Sequence, residues 1–324
     1  MSEQFLIENL DRAVDETMSH EPVTLVIVEA SLKDLLSLVE DLCDLPREDF
    51  KTALKEDLIR RATMTTEAQR APEQKPAIQA ITPYLTVERA EELVEFVKQA
   101  FGAVEVFRTT GSAGGMHAEV TIGDSRLMIG GMPGVTEIPT ALHLYVPDAD
   151  AVYQRSMEAG GTSLEEPVDQ FYGDREAGVK DPTGNVWWIA THKLGPAGTH
   201  VPEGLGTVTP FLHPVGAAKF IDFMKEAFGA EEVSRYQSPD GVIQHATVRI
   251  GNSMMEMGEA HGDAQPMPPA LYTYVEDVDA SYERAIKAGA TSLQPPTDQA
   301  YGDRTAWVKD AWENIWYLAK STNV

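Results

Sequence analysis

Residues 169–181 read DQFYGDREAGVKD, and residues 298–310 read DQAYGDRTAWVKD. Two unrelated segments do not share such a string by chance, so the chain carries an internal duplication. TPYL from Thr82 recurs as TPFL from Thr209, AFGA recurs from Ala100 and Ala227, and HAEVTIGDS from His117 recurs as HATVRIGNS from His245. Residues 81–191 align with 208–320 in the same order with only short gaps. A first domain over 80–194 and a second over 205–324 follow from this.

Within each copy the apolar period changes in a regular way. Ala80 to Val87 alternates as a strand, then Ala90, Leu93, Val94, Val97 and Phe101 take helical spacing until Gly102 ends it. Strands are expected next around Val104, His117 and Leu127. The order then repeats, with a strand from Ala141 to Val146, a helix from about Asp148 to Ala159 ending at Gly160, and strands near Leu164, Val179 and Trp187. Each copy therefore reads as two βαβββ modules, four in the chain, and the fold class is α+β.

The N-terminal stretch differs in kind. In residues 1–70, Leu32, Leu35, Leu36, Val39 and Leu42 form a helical stripe behind the capping pair Ser31 and Asp34, and Pro46 opens a second helix carried by Phe50, Leu54 and Leu58. Thr, Gln, Ala and Pro then predict a linker up to about residue 79.

Composition excludes several classes of function. With 26 basic and 51 acidic residues the net charge is −25, which repels nucleic acid and anionic membrane surfaces and tolerates a cationic guest. The longest early apolar run, Val23 to Val28, is far short of a membrane span, and no secretory signal is visible. Cys43 is the only cysteine, so neither an intrachain disulfide nor a cysteine-based zinc cluster can form, and a reducing cytoplasm is expected.

Four βαβββ modules, AFGA closing the first helix, YGDR late in each copy and DPTGN before a last aromatic strand together resemble the vicinal oxygen chelate superfamily, in its glyoxalase and bleomycin-resistance branch. The resemblance implies paired modules curling into a cupped sheet, helices outside, with a ligand or metal ion on the inner face. It also implies that single-domain relatives dimerise to complete their crevices. A fused pair is then expected either to pair internally, as a monomer with pseudo-twofold symmetry, or to form a homodimer.

Strand alternation assigns the inner face. Ala118, Val120 and Ile122 should meet the helices, which leaves His117, Glu119 and Thr121, and in the other copy His245, Thr247 and Arg249, pointing inward. The same alternation places His143, Tyr145, Tyr272 and Tyr274 there, with Trp188 and Tyr317 from the last strands and Tyr84 and Phe211 from the first. Metal-dependent members carry a His or Glu on the first, fourth, fifth and eighth strands. That pattern falls on Thr82, Met128, Ala141 and Trp188 in the first copy and on Thr209, Glu256, Ala270 and Tyr317 in the second, with a slip of one or two residues allowed. Only Glu256 has the right chemistry, so no metal site or cofactor is expected.

The expected function is therefore metal-independent binding of a small aromatic or cationic molecule in crevices lined by Tyr84, His143, Tyr145, Trp188, Phe211, Tyr272, Tyr274 and Tyr317. Arg175 and Arg304 of the YGDR motifs are candidate clamps for a ligand anion, or turn-stabilising residues that bridge to Asp181 or Asp310. Two alternatives stand beside this reading. One is a lyase or isomerase of glyoxalase type using Glu256 and His245, with His117 and Glu119 as a second acid/base pair; dioxygenase chemistry is disfavoured. The other is a non-catalytic scaffold whose N-terminal helices dock a partner. Met254, Met255 and Met257 are divided between ligand wall and packing, and the DAWE turn of the second copy is expected to be looser than DPTG.

Overall fold

The computed structural model describes residues 79–110, 115–196, 199–262, 264–299 and 302–321. The helices and linker expected before residue 79, and Tyr301 of the second YGDR, lie outside the described residues. The first module contains β1 (Ile81–Thr86), α1 (Ala90–Phe101), β2 (Val104–Thr110), β3 (Met116–Ile122) and β4 (Ser125–Gly131). The second has β5 (Ala141–Tyr145), α2 (Ala149–Glu158), β6 (Thr162–Asp169), β7 (Asp174–Lys180) and β8 (Val186–His192). The third has β9 (Val208–Leu212), α3 (Ala217–Phe228), β10 (Glu231–Gln237), β11 (Ile243–Ile250) and β12 (Ser253–Met257). The fourth has β13 (Ala270–Tyr274), α4 (Val278–Lys287), β14 (Thr291–Asp298), β15 (Asp303–Lys309) and β16 (Ile315–Ser321).

Local chemistry explains the boundaries. Gly102 and Gly229 close α1 and α3 in the left-handed region, at φ 69° and 68°, where a side chain would be strained. Asp148 and Asp277 cap α2 and α4 by accepting the N–H of Ala151 and Ala280 at 3.0 Å. No described helix is long and apolar enough to cross a membrane.

The sheets do not follow the repeats. One eight-stranded sheet runs β14-β15-β16-β13-β1-β4-β3-β2 and the other β10-β11-β12-β9-β5-β8-β7-β6. Each thus joins one module from each repeat, through antiparallel seams that set Thr82 opposite Tyr272 and His143 opposite Thr209. The cores, by contrast, do follow the repeats. Leu93, Val97, Leu127, Leu144, Trp187 and Ile189 share one cluster, while Phe220, Met224, Met255, Met257, Trp316 and Leu318 share another. A repeat is held together by its own core, and each sheet is completed by the other repeat. Carrying ligand positions over copy by copy, as the sequence invites, therefore mixes residues of different sheets.

Buried anchors recur in both copies. Asp181 accepts the indole N–H of Trp187 at 2.9 Å and the amide of Asn185 at 2.9 Å, and Asp310 does the same for Trp316 and Asn314. The DAWE turn is not looser than DPTG. Glu313 takes φ 70° where Gly184 has φ 97°, because its neighbours Trp312 and Asn314 donate their backbone N–H groups to Asp310 and hold the same turn.

Candidate functional site

Alternation along the strands divides each sheet into a face packed on helices and, among the described residues, a helix-free face. Ala118, Val120 and Ile122 are buried in the core, so His117 and Glu119 turn to the helix-free side, as expected. Met255 and Met257 are fully buried against the helices, which leaves Glu256 between them facing the other way.

On the second sheet this face is highly polar yet closed to water. His143, on the central strand β5, places Nδ1 2.9 Å from Glu256 Oε2 on β12 and Nε2 2.9 Å from Glu176 Oε2 on β7. Those two strands each lie two places from β5, about 10 Å away on either side, so the three side chains converge across the intervening strands. None of the described helices covers them, yet His143 is 6% exposed, Glu176 6% and Glu256 3%. A flat sheet would leave such groups wet, so the sheet curls over them. The network continues outward through His245 Nε2, 3.1 Å from Glu256 Oε1, and the Tyr172 hydroxyl, which donates to Glu176 at 3.1 Å. Asp174 and His192 form a further pair at 2.6 Å.

The charges settle each other. Burial alone would push the His143 imidazolium down, but the negative charge of Glu256 and the hydrogen bonds to Glu176 and Glu256 outweigh it and hold its pKa up at about 10. Burial would raise Glu256, and the facing His143 charge overrides it, bringing the carboxyl down to about 2. Phe211 stacks on the imidazole with ring centroids 4.8 Å apart and planes 5° apart, a favourable seat for a cation. His213, next on the inner face of this strand end, is pushed down to about 4 by burial and by the charges of His261 and His143. Burial lifts the Tyr145 hydroxyl far above its ordinary value.

The first sheet carries a different face. Tyr84 stacks on His117 at 5.6 Å and meets Tyr317 edge-on at 5.6 Å. Tyr317 in turn touches Trp307 at 5.4 Å and Tyr272 at 6.3 Å, and Tyr272 meets Tyr274 at 5.2 Å. The Tyr84 hydroxyl approaches Gly130 so closely that a Cβ there would sit 2.1 Å from it. His117 Nδ1 shares a hydrogen bond with the Tyr84 hydroxyl at 3.2 Å, Glu119 pairs with Arg126 at 2.6 Å, and the Tyr272 hydroxyl donates to Asp303 at 3.4 Å.

The expected inner-face residues therefore fall into two groups. Tyr84, His117, Glu119, Tyr272, Tyr274 and Tyr317 share the first sheet, while His143, Tyr145, Trp188, Phe211, His245 and Glu256 share the second. His117 and His245, equivalent in the repeats, lie on different sheets. Arg175 and Arg304 are turned to the opposite side. Each bridges strand and helix start through paired carboxylates, Asp150 and Asp169 for Arg175, Asp279 and Asp298 for Arg304; neither reaches Asp181 or Asp310. Glu176 escaped the sequence reading altogether. The signal for it was the contrast with Thr305 at the same place in the second repeat.

With the modules regrouped, the metal-bearing positions of the second sheet are Thr209, Glu256, Ala141 or His143 two residues along, and Trp188. His143 and Glu256 thus belong together, but both ring nitrogens of His143 already face carboxylate oxygens at 2.9 Å. Among the described residues no three His, Cys, Asp or Glu side chains are disposed to hold a metal ion. The donor set present does not fit one: the imidazole spends its two nitrogens on carboxylates, and Thr and Trp stand where two further ligands belong.

The family model for the Glyoxalase/Bleomycin resistance protein/Dioxygenase superfamily matches residues 77–189 and 215–318. An uncharacterised protein of Mycobacterium bovis is 36% identical over 124 residues, which is 35% of this chain and 82% of that protein. A counterpart in Mycobacterium tuberculosis is likewise 36% identical over 124 residues, 35% of this chain and 73% of that protein. Glyoxalase I from Zea mays matches with a TM-score of 0.58 at 15% identity, covering 74% of this chain and 92% of that one, a likeness of fold. The duplicated βαβββ modules, the two shared sheets and the double family match have one consequence: the chain belongs to the glyoxalase/bleomycin resistance/dioxygenase superfamily.

Proposed function

We propose that this protein binds a small aromatic or cationic molecule on its helix-free faces, above all the aromatic face of the first sheet, and does so without a metal ion. The observation that carries this is the continuous run of rings Trp307, Tyr317, Tyr272 and Tyr274 with Tyr84 and His117, each within stacking or edge-on reach of the next. Half-exposed rings in contact offer a flat guest both apolar area and π-faces. Asp303 beside Tyr272 and a net charge of −25 bias the choice toward a cation. The lone Cys43 and the acidic surface fit a reducing, cytoplasmic setting with no nucleic-acid or membrane partner. Thermal melts with aromatic cations, neutral aromatics and aromatic carboxylates, each with and without chelator, test the proposal. Aromatic cations should raise the melting temperature by several degrees equally in both buffers. A flat response across the panel, or one that chelator abolishes, sinks it.

A second reading, a lyase or isomerase, is favoured by His245. Its side chain is 40% exposed while its Nε2 rests 3.1 Å from Glu256, the arrangement of a base whose protonated form has a carboxylate waiting to stabilise it. His245 would take a proton from the substrate and Glu256 would hold the resulting imidazolium. Any turnover of methylglyoxal-thiol adducts should then fall roughly 10²- to 10⁴-fold in Glu256→Gln; unchanged rates remove this reading.

A further inference from the structure

A cavity of about 310 Å³ lies where the end of β9, with His213 at the margin of the second sheet's network, meets the 266–268 segment and the 311–314 turn. Its lining includes His213, Pro214, Met267, Pro268, Trp312 and Asn314. The two repeats show why it exists. In the first repeat the Ile138 N–H donates to the Thr86 carbonyl at 2.9 Å and ties the preceding loop down over the strand end. The Thr140 N–H donates to Asn185 Oδ1 at 3.1 Å, which occupies that acceptor. Thr140 and Pro269 are equivalent, since their carbonyls accept from Val186 at 2.9 Å and Ile315 at 3.0 Å.

Proline has no N–H. Asn314, only 2% exposed, donates its amide to Asp310 Oδ2 at 2.8 Å, so its orientation is set and its Oδ1 is left over. No described residue supplies a donor to it. The loop from Gly258 to Pro269 is also one residue longer than its counterpart from Gly130 to Thr140, and among the described residues no backbone bond ties Met267 to His213. In the lining of the cavity and without a protein donor, the Asn314 side-chain carbonyl is open to accept from a bound molecule.

We propose that this slot is a second ligand site, taking a small, uncharged, flat molecule whose N–H or O–H donates to Asn314 Oδ1 while its apolar body lies among Pro214, Met267, Pro268 and Trp312. The size suits a bicyclic ring, since a cavity of about 150 Å³ holds a benzene. Trp312 is fixed for such contact by its own N–H, which donates to the Val215 carbonyl at 2.8 Å.

Indole and 1-methylindole are the probes, followed by NMR at the Trp312 Nε1–H and by titration of the full chain. Indole should shift the Trp312 signal, and 1-methylindole, which lacks the donor, should bind about tenfold more weakly. Pro269→Thr restores the N–H found in the first repeat and should erase that preference without unfolding the protein. Met267→Trp fills the slot from its rim and should abolish binding while leaving Asn314 untouched. The proposal is overturned if indole leaves Trp312 unperturbed at millimolar concentration, if the two probes bind alike, or if Pro269→Thr and Met267→Trp both bind indole as the parent does.

Discussion

The two helix-free faces are built from equivalent strands in the same order, yet one is a closed ionic network and the other an open aromatic wall. His143 of the second sheet corresponds to Tyr272 of the first, Glu256 to Met128, Glu176 to Thr305, Gly178 to Trp307 and Phe211 to Tyr84. Where the second sheet buries a cation between two carboxylates, the first replaces all three charges by groups that need no counter-ion. The exchange is concerted, as physics requires. A buried carboxylate is tolerable only with its partner present, so losing any one of His143, Glu176 and Glu256 alone is costly, and a chain drifts from one chemistry to the other only by changing the set. Because each sheet takes one module from each repeat, both repeats contribute to both faces, and neither copy can be read as the active or the idle one.

The largest expected effect tests whether the ionic network is what distinguishes the second sheet. His143→Leu leaves Glu176 and Glu256 buried without their cation and should cost about 3–5 kcal/mol in denaturant unfolding, whereas Tyr272→Leu removes ring contacts and the hydrogen bond to Asp303 without stranding a buried charge, and should cost about 1–2 kcal/mol. Equal losses would erase the comparison. The pH dependence sharpens it. His143 is raised from 6.5 to about 10, so its stabilisation is complete below about pH 6.5 and is lost as pH rises through about 10. Glu256 is lowered from 4.5 to about 2, so its contribution is complete above about pH 4.5 and disappears as pH falls toward 2. The gap between parent and His143→Leu should therefore be widest between pH 4.5 and 6.5 and narrow on the alkaline side. A gap that is flat from pH 6 to 10 would mean His143 is neutral in the folded protein.

Much of this was legible in the sequence. The module boundaries follow from period changes and from glycines at helix ends, and the inner-face residues follow from strand alternation, because both depend only on local geometry. What alternation does not carry is which strand lies beside which. His143 and Glu256 stand 113 residues apart on different repeats, and their meeting depends on the seam between β5 and β9. Glu176 was invisible for a related reason. Its neighbours Arg175 and Ala177 belong to the opposite face, and nothing local marks a carboxylate whose partner sits two strands away. Arg175 misled in the other direction: a conspicuous motif cation whose partners, Asp150 and Asp169, make it a brace between strand and helix.

The smallest effect on stability should come with the clearest effect on binding. Trp307 is 37% exposed and meets Tyr317 edge-on, and its counterpart Gly178 leaves room instead for Trp188, whose ring would stand 2.9 Å from a Cβ at that position. The cross-strand pairs Trp307 with Tyr317 and Gly178 with Trp188 thus distribute ring volume differently on the two faces. Trp307→Val keeps a strand-forming residue, so only the edge-on contact is lost, about 1 kcal/mol. If the aromatic wall of the first sheet is where a cationic ring binds, the same substitution should weaken that ligand about tenfold in calorimetric titration while leaving the His143 network and its pH dependence as they were. A variant that is destabilised as expected but binds with parental affinity would move the ligand off this face, and would separate the wall as a packing feature from the wall as a site.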